Sequence, residues 1–313
     1  MKDNTKKNLK FFAGCLISAT IIFLIVQILG KVLDPYGAGE GFAAVEAFHS
    51  LEENSLDVII YGSSHAWKGC DTRVMHDRYG LDAYNYGCDW QAINTVLLFL
   101  RDSLRTQNPK VVCVETFLVN SLMQNWDMEG QIYYTKAMGD FPGRRAYLKQ
   151  AFAGDIGRYL SYYVPLVMFH DNWSVITSEN FEKPDPGKYV LSRGYRESQN
   201  VAPCHEPDYE NFEQETLYDS CRTALDEIVK ECEDRGISLI FYTAPCEAEY
   251  HFNDAMKEYV KDKNCVYLNL FEHTYEMGFD YSIDLQDAGH LNDSGAGKVA
   301  AFLAEYILEN YGE

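Results

Sequence analysis

Short apolar segments that alternate with helical patterns constrain the fold of this 313-residue chain more than any other feature. The clearest is the segment 58–61, Val-Ile-Ile-Tyr, which ends at Gly62. Similar segments occur at 83–86, 111–114, 238–243 and 266–268. Buried parallel strands are apolar along their whole length, and helices join them in right-handed crossovers. The alternation therefore predicts an α/β fold with a central parallel sheet.

Apolar residues at helical spacing predict the helices that precede, connect and follow these strands. The predicted helices span residues 41–51, 71–79, 91–107, 215–235, 247–262 and 294–308. Gly236 is a suitable C-terminal stop for the helix at 215–235. Asp293 or Ser294 is expected to cap the last helix.

The strand and helix pattern breaks between about residues 118 and 213, where the chain is rich in Tyr, Trp, Gly and Pro. We interpret this region as an insertion at the carboxyl edge of the third strand, with helical pieces near 144–152 and 156–167. Long insertions at that edge often form a lid or a substrate wall. The aromatic residues of the insertion either line a sugar-binding groove or form its own small core. They are Trp126, Tyr133, Tyr134, Tyr162, Tyr163, Phe169 and Trp173.

The N-terminal region contains a membrane-anchor pattern. Residues 11–30 are apolar and uncharged, which matches the about 20 residues that cross a bilayer as a helix. Lysines precede this run and a strongly acidic chain follows it, so the positive-inside rule predicts a cytoplasmic N-terminus and an extracytoplasmic remainder at the cell membrane. A cleaved signal peptide is the alternative, but no small-x-small cleavage site follows the run. The predicted division is therefore 1–33 as cytoplasmic tip and transmembrane helix, 34–56 as connector and 57–313 as the main domain.

Composition limits the function classes. The formal net charge of −20 argues against a nucleic-acid partner that would bind through a basic face. Nine cysteines are present, and both disulfides and buried free thiols are compatible with their spacing. Metal-ligand spacings and glycine-rich phosphate loops are not found in the sequence, so we expect neither a metal nor a cofactor.

Two short motifs carry the chemistry. Gly62-Ser63-Ser64 directly follows the first strand, and Asp287-x-x-His290 precedes the last helix. Both are expected at the carboxyl edge of the sheet, where open α/β sheets bind ligands. In an Asp-x-x-His loop the carboxylate can accept from one imidazole nitrogen while the other nitrogen takes a proton from a hydroxyl. Taken alone, the serines could be helix caps and the histidine structural.

This arrangement resembles the SGNH, or GDSL, hydrolases. Gly62-Ser63-Ser64, Gly87 and Asp287-x-x-His290 are similar to the first, second and fifth sequence blocks of that family. The resemblance implies a flavodoxin-like three-layer fold in which Ser64 is the nucleophile, His290 the base and Asp287 its partner. It also implies that the backbone N–H groups of Ser64 and Gly87 form the oxyanion hole.

One family block departs from the pattern. The Gly-x-Asn-Asp block should follow the third strand, where this chain has Val114-Glu-Thr-Phe-Leu-Val-Asn120. Asn120 is the candidate for the missing oxyanion-hole amide by position alone. Glu115 is expected to occupy part of the same space, where it would contact substrate.

Three further residues are candidate substrate contacts. His65 follows the proposed nucleophile and is either a substrate ligand or second base, or a cap of the next helix. His170 and Trp173 either line the cleft or pack within the insertion.

Within the family, the anchor and the departing block are similar to the membrane-anchored branch that modifies bacterial envelopes, such as the teichoic-acid protein DltD and the alginate acetylation proteins AlgJ and AlgX. This resemblance implies a serine esterase or O-acyltransferase that acts on a cell-envelope polysaccharide or a teichoic-acid-like polymer. It also implies a multi-pass membrane O-acyltransferase as a partner. The alternative is a catalytically silent SGNH-like module that binds a polysaccharide or acts as a scaffold for such a transferase.

Overall fold

A computed structural model describes residues 2–34, 40–123, 134–181 and 185–312 of the protein. Trp126 and Tyr133, which were predicted among the aromatics of the insertion, lie outside these residues. In chain order, the helices and strands are α1 Lys2–Leu33, α2 Glu40–His49, β1 Val58–Tyr61, α3 Ser64–Trp67, α4 Thr72–Tyr79, β2 Ala83–Asn85, α5 Ile93–Ser103, β3 Val111–Glu115, α6 Pro142–Ala151, α7 Ile156–Tyr163, α8 Pro165–Phe169, α9 Pro186–Leu191, α10 Asp219–Glu233, β4 Ser238–Thr243, α11 Asn253–Val260, β5 Cys265–Asn269, β6 Leu285–Asp287, β7 His290–Leu291 and α12 Asp293–Tyr311.

The central sheet has five parallel strands in the order β2-β1-β3-β4-β5. All five strands were predicted from their apolar segments, and their bounds agree within one residue. Most of the helices were also predicted, but α5, α10 and α11 are several residues shorter than their patterns indicated, and α3 and α9 were not predicted. The α/β prediction with a central parallel sheet is therefore confirmed.

Helices cover both faces of the sheet, because alternate residues of each strand point to opposite sides. On one face Ile59, Val112 and Leu239 join a core with α5 and α10. On the other face Ile60, Cys113 and Ile240 join a core with α4 and α12. All of these side chains are buried, which explains why the strands are continuous apolar runs.

The segment predicted as a connector is packed into the domain. Within it, Phe48 of α2 stacks on Tyr86 with ring centroids 4.1 Å apart. The hydroxyl of Tyr84 donates to the carbonyl oxygen of Ala44. Helix α2 therefore covers the β2 end of the sheet.

Helix α1 is long and apolar enough to cross a membrane by its length and composition. Within Lys6–Leu33, the most apolar 18 residues have a mean hydropathy of 2.5. The orientation of α1 stays a prediction.

All nine cysteines lie among the described residues, and all are free thiols. Of the two alternatives that their spacing left open, disulfides and free thiols, the structure therefore has free thiols. Six are buried, at positions 70, 88, 113, 221, 232 and 246. They pack as small apolar side chains in the two cores.

Candidate active site

The candidate site lies at the carboxyl ends of β1 and β3. The strand order reverses at this point, since β2 follows β1 in sequence but lies on the side of β1 away from β3. Crevices outside such a switch point are the usual ligand sites of open α/β sheets. The Gly62-Ser63-Ser64 turn follows β1 and Glu115 ends β3, so both reach this crevice.

Gly62 allows the sharp turn from β1 into the two serines. Its φ of 140° is unfavourable for other residues, and a Cβ at this position would lie 2.7 Å from Cβ of Glu115. Ser63 caps α3, because its hydroxyl accepts from the backbone N–H of His65. Ser64 is then the first residue of α3 and is half-buried. The prediction that the serines are caps is therefore right for Ser63, while the hydroxyl of Ser64 remains available for chemistry.

His290 and Asp287 lie on the β6–β7 hairpin, a second small sheet that sequence reasoning did not predict. Oδ1 of Asp287 accepts from the backbone N–H groups of Gly289 and His290, at 2.9 and 3.0 Å. The same oxygen lies 2.8 Å from Nδ1 of His290. This tight turn explains the Asp-x-x-His spacing, because the carboxylate orders the loop and orients the imidazole together.

The three predicted catalytic residues are brought together. Nε2 of His290 lies 2.8 Å from the hydroxyl oxygen of Ser64, and Nδ1 of His290 lies 2.8 Å from Asp287. With the Nδ1 proton directed at Asp287, Nε2 is left to accept the Ser64 proton. The side chains of His290 and Asp287 are 23% and 54% exposed, so the site is open to solvent.

The base of the hairpin is held by Asn292, which sequence reasoning missed. Its side-chain oxygen accepts from the N–H groups of Ser294 and Gly295, so Asn292 caps α12 and the expected cap at Asp293 or Ser294 was wrong. Its amide nitrogen donates to carbonyl oxygens of three other residues, Asn200, Ile283 and Leu285. An Asn directly before Asp-Ser is itself a common N-cap, and that signal was present in the sequence.

The last part of the insertion holds both halves of the site, which no local pattern indicated. The carbonyl of Arg193 accepts from the N–H of Asn85 in β2, and the carbonyl of Gly194 accepts from the indole of Trp67 in α3. Further along, the N–H of Ala202 donates to Leu285 in β6. The segment 193–202 therefore connects α3, which follows the Gly62-Ser63-Ser64 turn, to the β6–β7 hairpin.

The two predicted oxyanion-hole donors besides Ser64 are engaged elsewhere. Gly87 packs against the turn, with its Cβ position 3.0 Å from the carbonyl oxygen of Gly62, but its N–H donates to Oδ1 of Asn85 at 3.1 Å. The amide of Asn120 donates to Thr216 and accepts from the N–H of Tyr218 at the start of α10. In the described part of the chain, the N–H of Ser64 has no hydrogen-bond acceptor and can receive an oxyanion.

Glu115 lies directly against the Gly62-Ser63-Ser64 turn. Its carboxylate accepts from the hydroxyl of Ser63 at 3.3 Å and from the N–H of Phe117 at 2.8 Å. Burial raises the pKa of Glu115 to about 8. At neutral pH a protonated carboxyl group here avoids an unpaired buried charge.

His65 is buried beside His290. Its ring stacks on Phe117 with centroids 3.6 Å apart, and its centroid lies 5.2 Å from that of His290. Burial and the neighbouring His290 lower the pKa of His65 well below its usual value. A neutral His65 therefore lies beside His290 without adding a charge to the site.

His170 and Trp173 lie beside α1, and the hydrogen bonds and ring contacts of the described residues do not join them to Ser64 or His290. Nδ1 of His170 is 3.1 Å from the carbonyl oxygen of Val167, one turn earlier. Asn172, between the two residues, donates to the carbonyl of Leu33 at the end of α1. Of the other predicted aromatics, Tyr162 and Phe169 are buried in the core that the insertion shares with α5 and one face of the sheet, so the described part of the insertion has no separate core around them.

Comparison with models of known protein families and with curated protein sequences found no match to this chain. The interpretation of the site therefore depends on its own geometry. The site contains a serine hydroxyl in contact with an imidazole, which in turn contacts a carboxylate, and one free N–H lies beside the hydroxyl. These are the groups that acyl transfer through a serine needs.

Proposed function

We propose that this protein is a membrane-anchored, extracytoplasmic serine esterase or O-acyltransferase of the SGNH type, acting on acyl groups of a cell-envelope glycopolymer. The observation that carries the proposal is the line of contacts from Ser64 through His290 to Asp287, at 2.8 Å for each step. Nucleophile and base within hydrogen-bond reach, with the base oriented by a third group, are the signature of an activated serine.

The proposed reaction has two stages. The Ser64 oxygen attacks the carbonyl carbon of an ester while its proton passes to Nε2 of His290, and the N–H of Ser64 stabilises the oxyanion. The tetrahedral intermediate collapses, the C–O bond to the leaving alcohol breaks, and His290 returns the proton to that alcohol. Water or a sugar hydroxyl then attacks the acyl-serine, with His290 as base, and releases Ser64.

The SGNH assignment is supported by topology as well as by the motifs. The order β2-β1-β3-β4-β5 is that of flavodoxin-like sheets. In that frame Ser64 follows the first strand and Asp287 and His290 precede the last helix, which matches the resemblance seen in the sequence. The envelope polymer as substrate and a multi-pass O-acyltransferase as partner follow from the resemblance to the DltD, AlgJ and AlgX branch and from the apolar α1.

Hydrolysis of p-nitrophenyl acetate by the purified full-length protein tests this function. Ser64→Ala should reduce kcat by about a thousandfold or more, because the nucleophile is lost. Ser174→Ala is the matched control, since Ser174 is exposed and lies in the insertion. Equal rates for wild type and Ser64→Ala would contradict the proposal.

One observation favours a catalytically silent SGNH-like polysaccharide-binding or scaffold protein as the second candidate. Gly87 and Asn120 both have their donors engaged, which leaves the Ser64 N–H as the one predicted donor that is free for an oxyanion. A silent protein would hydrolyse no ester and would bind the polymer equally well as wild type and as Ser64→Ala.

Hydrolysis and transfer differ only in the acceptor. An O-acetylated oligosaccharide as donor, with a second unacetylated oligosaccharide present, distinguishes them. Transfer predicts an acetylated acceptor in the product mixture, whereas hydrolysis predicts acetate alone.

A further inference from the structure

The insertion packs against the side of α1 within its apolar run. Gly30 is buried, and a Cβ at this position would lie 3.0 Å from the backbone nitrogen of Leu166 and 3.5 Å from Pro165. Val26 and Leu29 of α1 are half-buried on the same part of the helix. Helix α8 therefore packs beside the last turns of the apolar run of α1, which ends at Gly30 just before Lys31.

Two side-chain amides of the insertion form hydrogen bonds with the C-terminal end of α1. Asn172 donates to the carbonyl oxygen of Leu33 at 3.1 Å, and Asn180 donates to that of Val32 at 3.0 Å. These bonds satisfy carbonyl groups that the end of a helix leaves unpaired. The insertion is thus fixed to α1 by packing and by hydrogen bonds.

Next to this contact the insertion exposes large apolar side chains, which we call the apolar rim. Ile156, Leu160 and Tyr163 are spaced to share one face of α7, and Val167 continues that exposure in α8. Soluble surfaces rarely expose such a group without a partner. The rim consists of Ile156 at 73% exposure, Leu160 at 54%, Tyr163 at 43%, Val167 at 57%, Trp173 at 57% and Phe181 at 68%.

Basic side chains border one end of the rim. A cavity of about 370 Å³ is lined by apolar side chains together with Arg145, Lys149 and Asp155, and Arg145 is also paired with Asp140. Cations at the edge of an apolar face suit the phosphate groups of lipids, and Trp and Tyr concentrate at the same depth of a bilayer.

We propose that the apolar rim is a second membrane contact, which lies in the outer interfacial layer of the bilayer beside α1. Its occupant is the lipid itself, because the rim continues directly from the helix that is long and apolar enough to cross the membrane. Both α1 and the apolar rim then contact the membrane, which restricts the orientation of the domain relative to the bilayer. This inference rests on α1 as a membrane span and is independent of the chemistry of Ser64.

Spin labels on the full-length protein in nanodiscs of phosphatidylcholine and phosphatidylglycerol test the contact. Leu160→Cys and Val167→Cys carry a nitroxide in a background with Cys15→Ser, Cys204→Ser and Cys265→Ser, since these three native cysteines are not buried. The measured quantity is access of each label to oxygen, which dissolves in lipid, against access to a water-soluble nickel complex.

Two control positions calibrate the result. Ile17→Cys is on α1, and Tyr275→Cys is on a 96% exposed residue after β5. The proposal predicts that labels at 160 and 167 lose access to the nickel complex and resemble position 17. If they resemble position 275 while position 17 is shielded, the rim is not a membrane contact. If position 17 is also open to nickel, α1 does not span and the proposal fails with it, while the esterase assay is unaffected.

Discussion

The indole N–H of Trp67 donates to the carbonyl oxygen of Gly194 at 2.9 Å. Trp67 ends the short helix that begins at Ser64, and Gly194 lies in the last part of the insertion. The hydroxyl of Thr72 donates to the neighbouring carbonyl of Arg193 at 2.8 Å. The position of the proposed nucleophile therefore depends on chain segments more than a hundred residues away.

Gly194→Ala should destabilise the protein and disorder the site. Gly194 has a φ of +81°, and an added Cβ would lie 2.1 Å from the carbonyl oxygen of Asn85. Strain and overpacking together predict a loss of about 3 to 5 kcal/mol in the free energy of unfolding. Gly80→Ala is the control, because Gly80 has a φ of +69° with open space around it, and it should lose only about 1 to 2 kcal/mol. Equal losses in urea unfolding would show that the contact with Asn85 is unimportant.

Glu115→Gln should change how stability depends on pH. With a pKa of about 8 when folded and an ordinary value of 4.5, Glu115 keeps its proton between these values in the folded protein and releases it on unfolding. Its contribution to stability therefore falls as the pH rises from about 4.5 to 8, by at most about 1.4 kcal/mol per pH unit. The substituted glutamine has no such proton and can still accept from Phe117 and donate to Ser63. Urea unfolding at pH 5, 6.5 and 8 should show a steeper loss for wild type, and parallel curves would contradict the prediction.

Asn120→Ala tests whether the side-chain amide of Asn120 acts in catalysis or only in stabilising the fold. An oxyanion-hole donor would lower kcat by about a hundredfold to a thousandfold when removed. Because Asn120 instead joins the loop after β3 to the start of α10, we expect kcat near wild type and a loss of about 1 kcal/mol in the free energy of unfolding. A large fall in kcat without a change in the free energy of unfolding would show that the Asn120 amide acts in the oxyanion hole.

His170→Asn and Trp173→Phe should leave catalysis unchanged. The sequence left open whether these residues line the cleft, and the structure places them beside α1. With an O-acetylated oligosaccharide as substrate, both variants should keep the wild-type KM and kcat. An increase in KM for either variant would show that the polymer reaches this part of the insertion.

The features that could be predicted are those that depend on a few residues close together in the sequence. The strand at 58–61 is apolar because both of its faces are covered, and the turn at Gly62 follows from its backbone conformation. The Asp287 and His290 pair was recognisable because the carboxylate and the imidazole orient one another within a single turn.

The parts that were missed depend on contacts between distant segments. The return of the chain at 193–202 has no periodic pattern, since its backbone pairs with β2 and β6 through carbonyl and N–H groups that every residue carries. Gly87 lies beside the turn at Gly62, but its N–H donates to the side chain of Asn85, whose own orientation is set by the carbonyls of Ala66 and Cys70. Such competition for a donor is visible only in three dimensions.

Labelling with a fluorophosphonate, followed by peptide mass spectrometry, tests most directly whether Ser64 is an activated nucleophile. The Ser64 oxygen bonds to phosphorus, fluoride leaves, and the proton passes to Nε2 of His290, which lies 2.8 Å away. We predict one modified site, at Ser64, that is lost in Ser64→Ala, strongly slowed in His290→Asn and unchanged in Ser174→Ala. Failure of the folded wild-type protein to react, or modification at Ser63 in place of Ser64, would contradict the account.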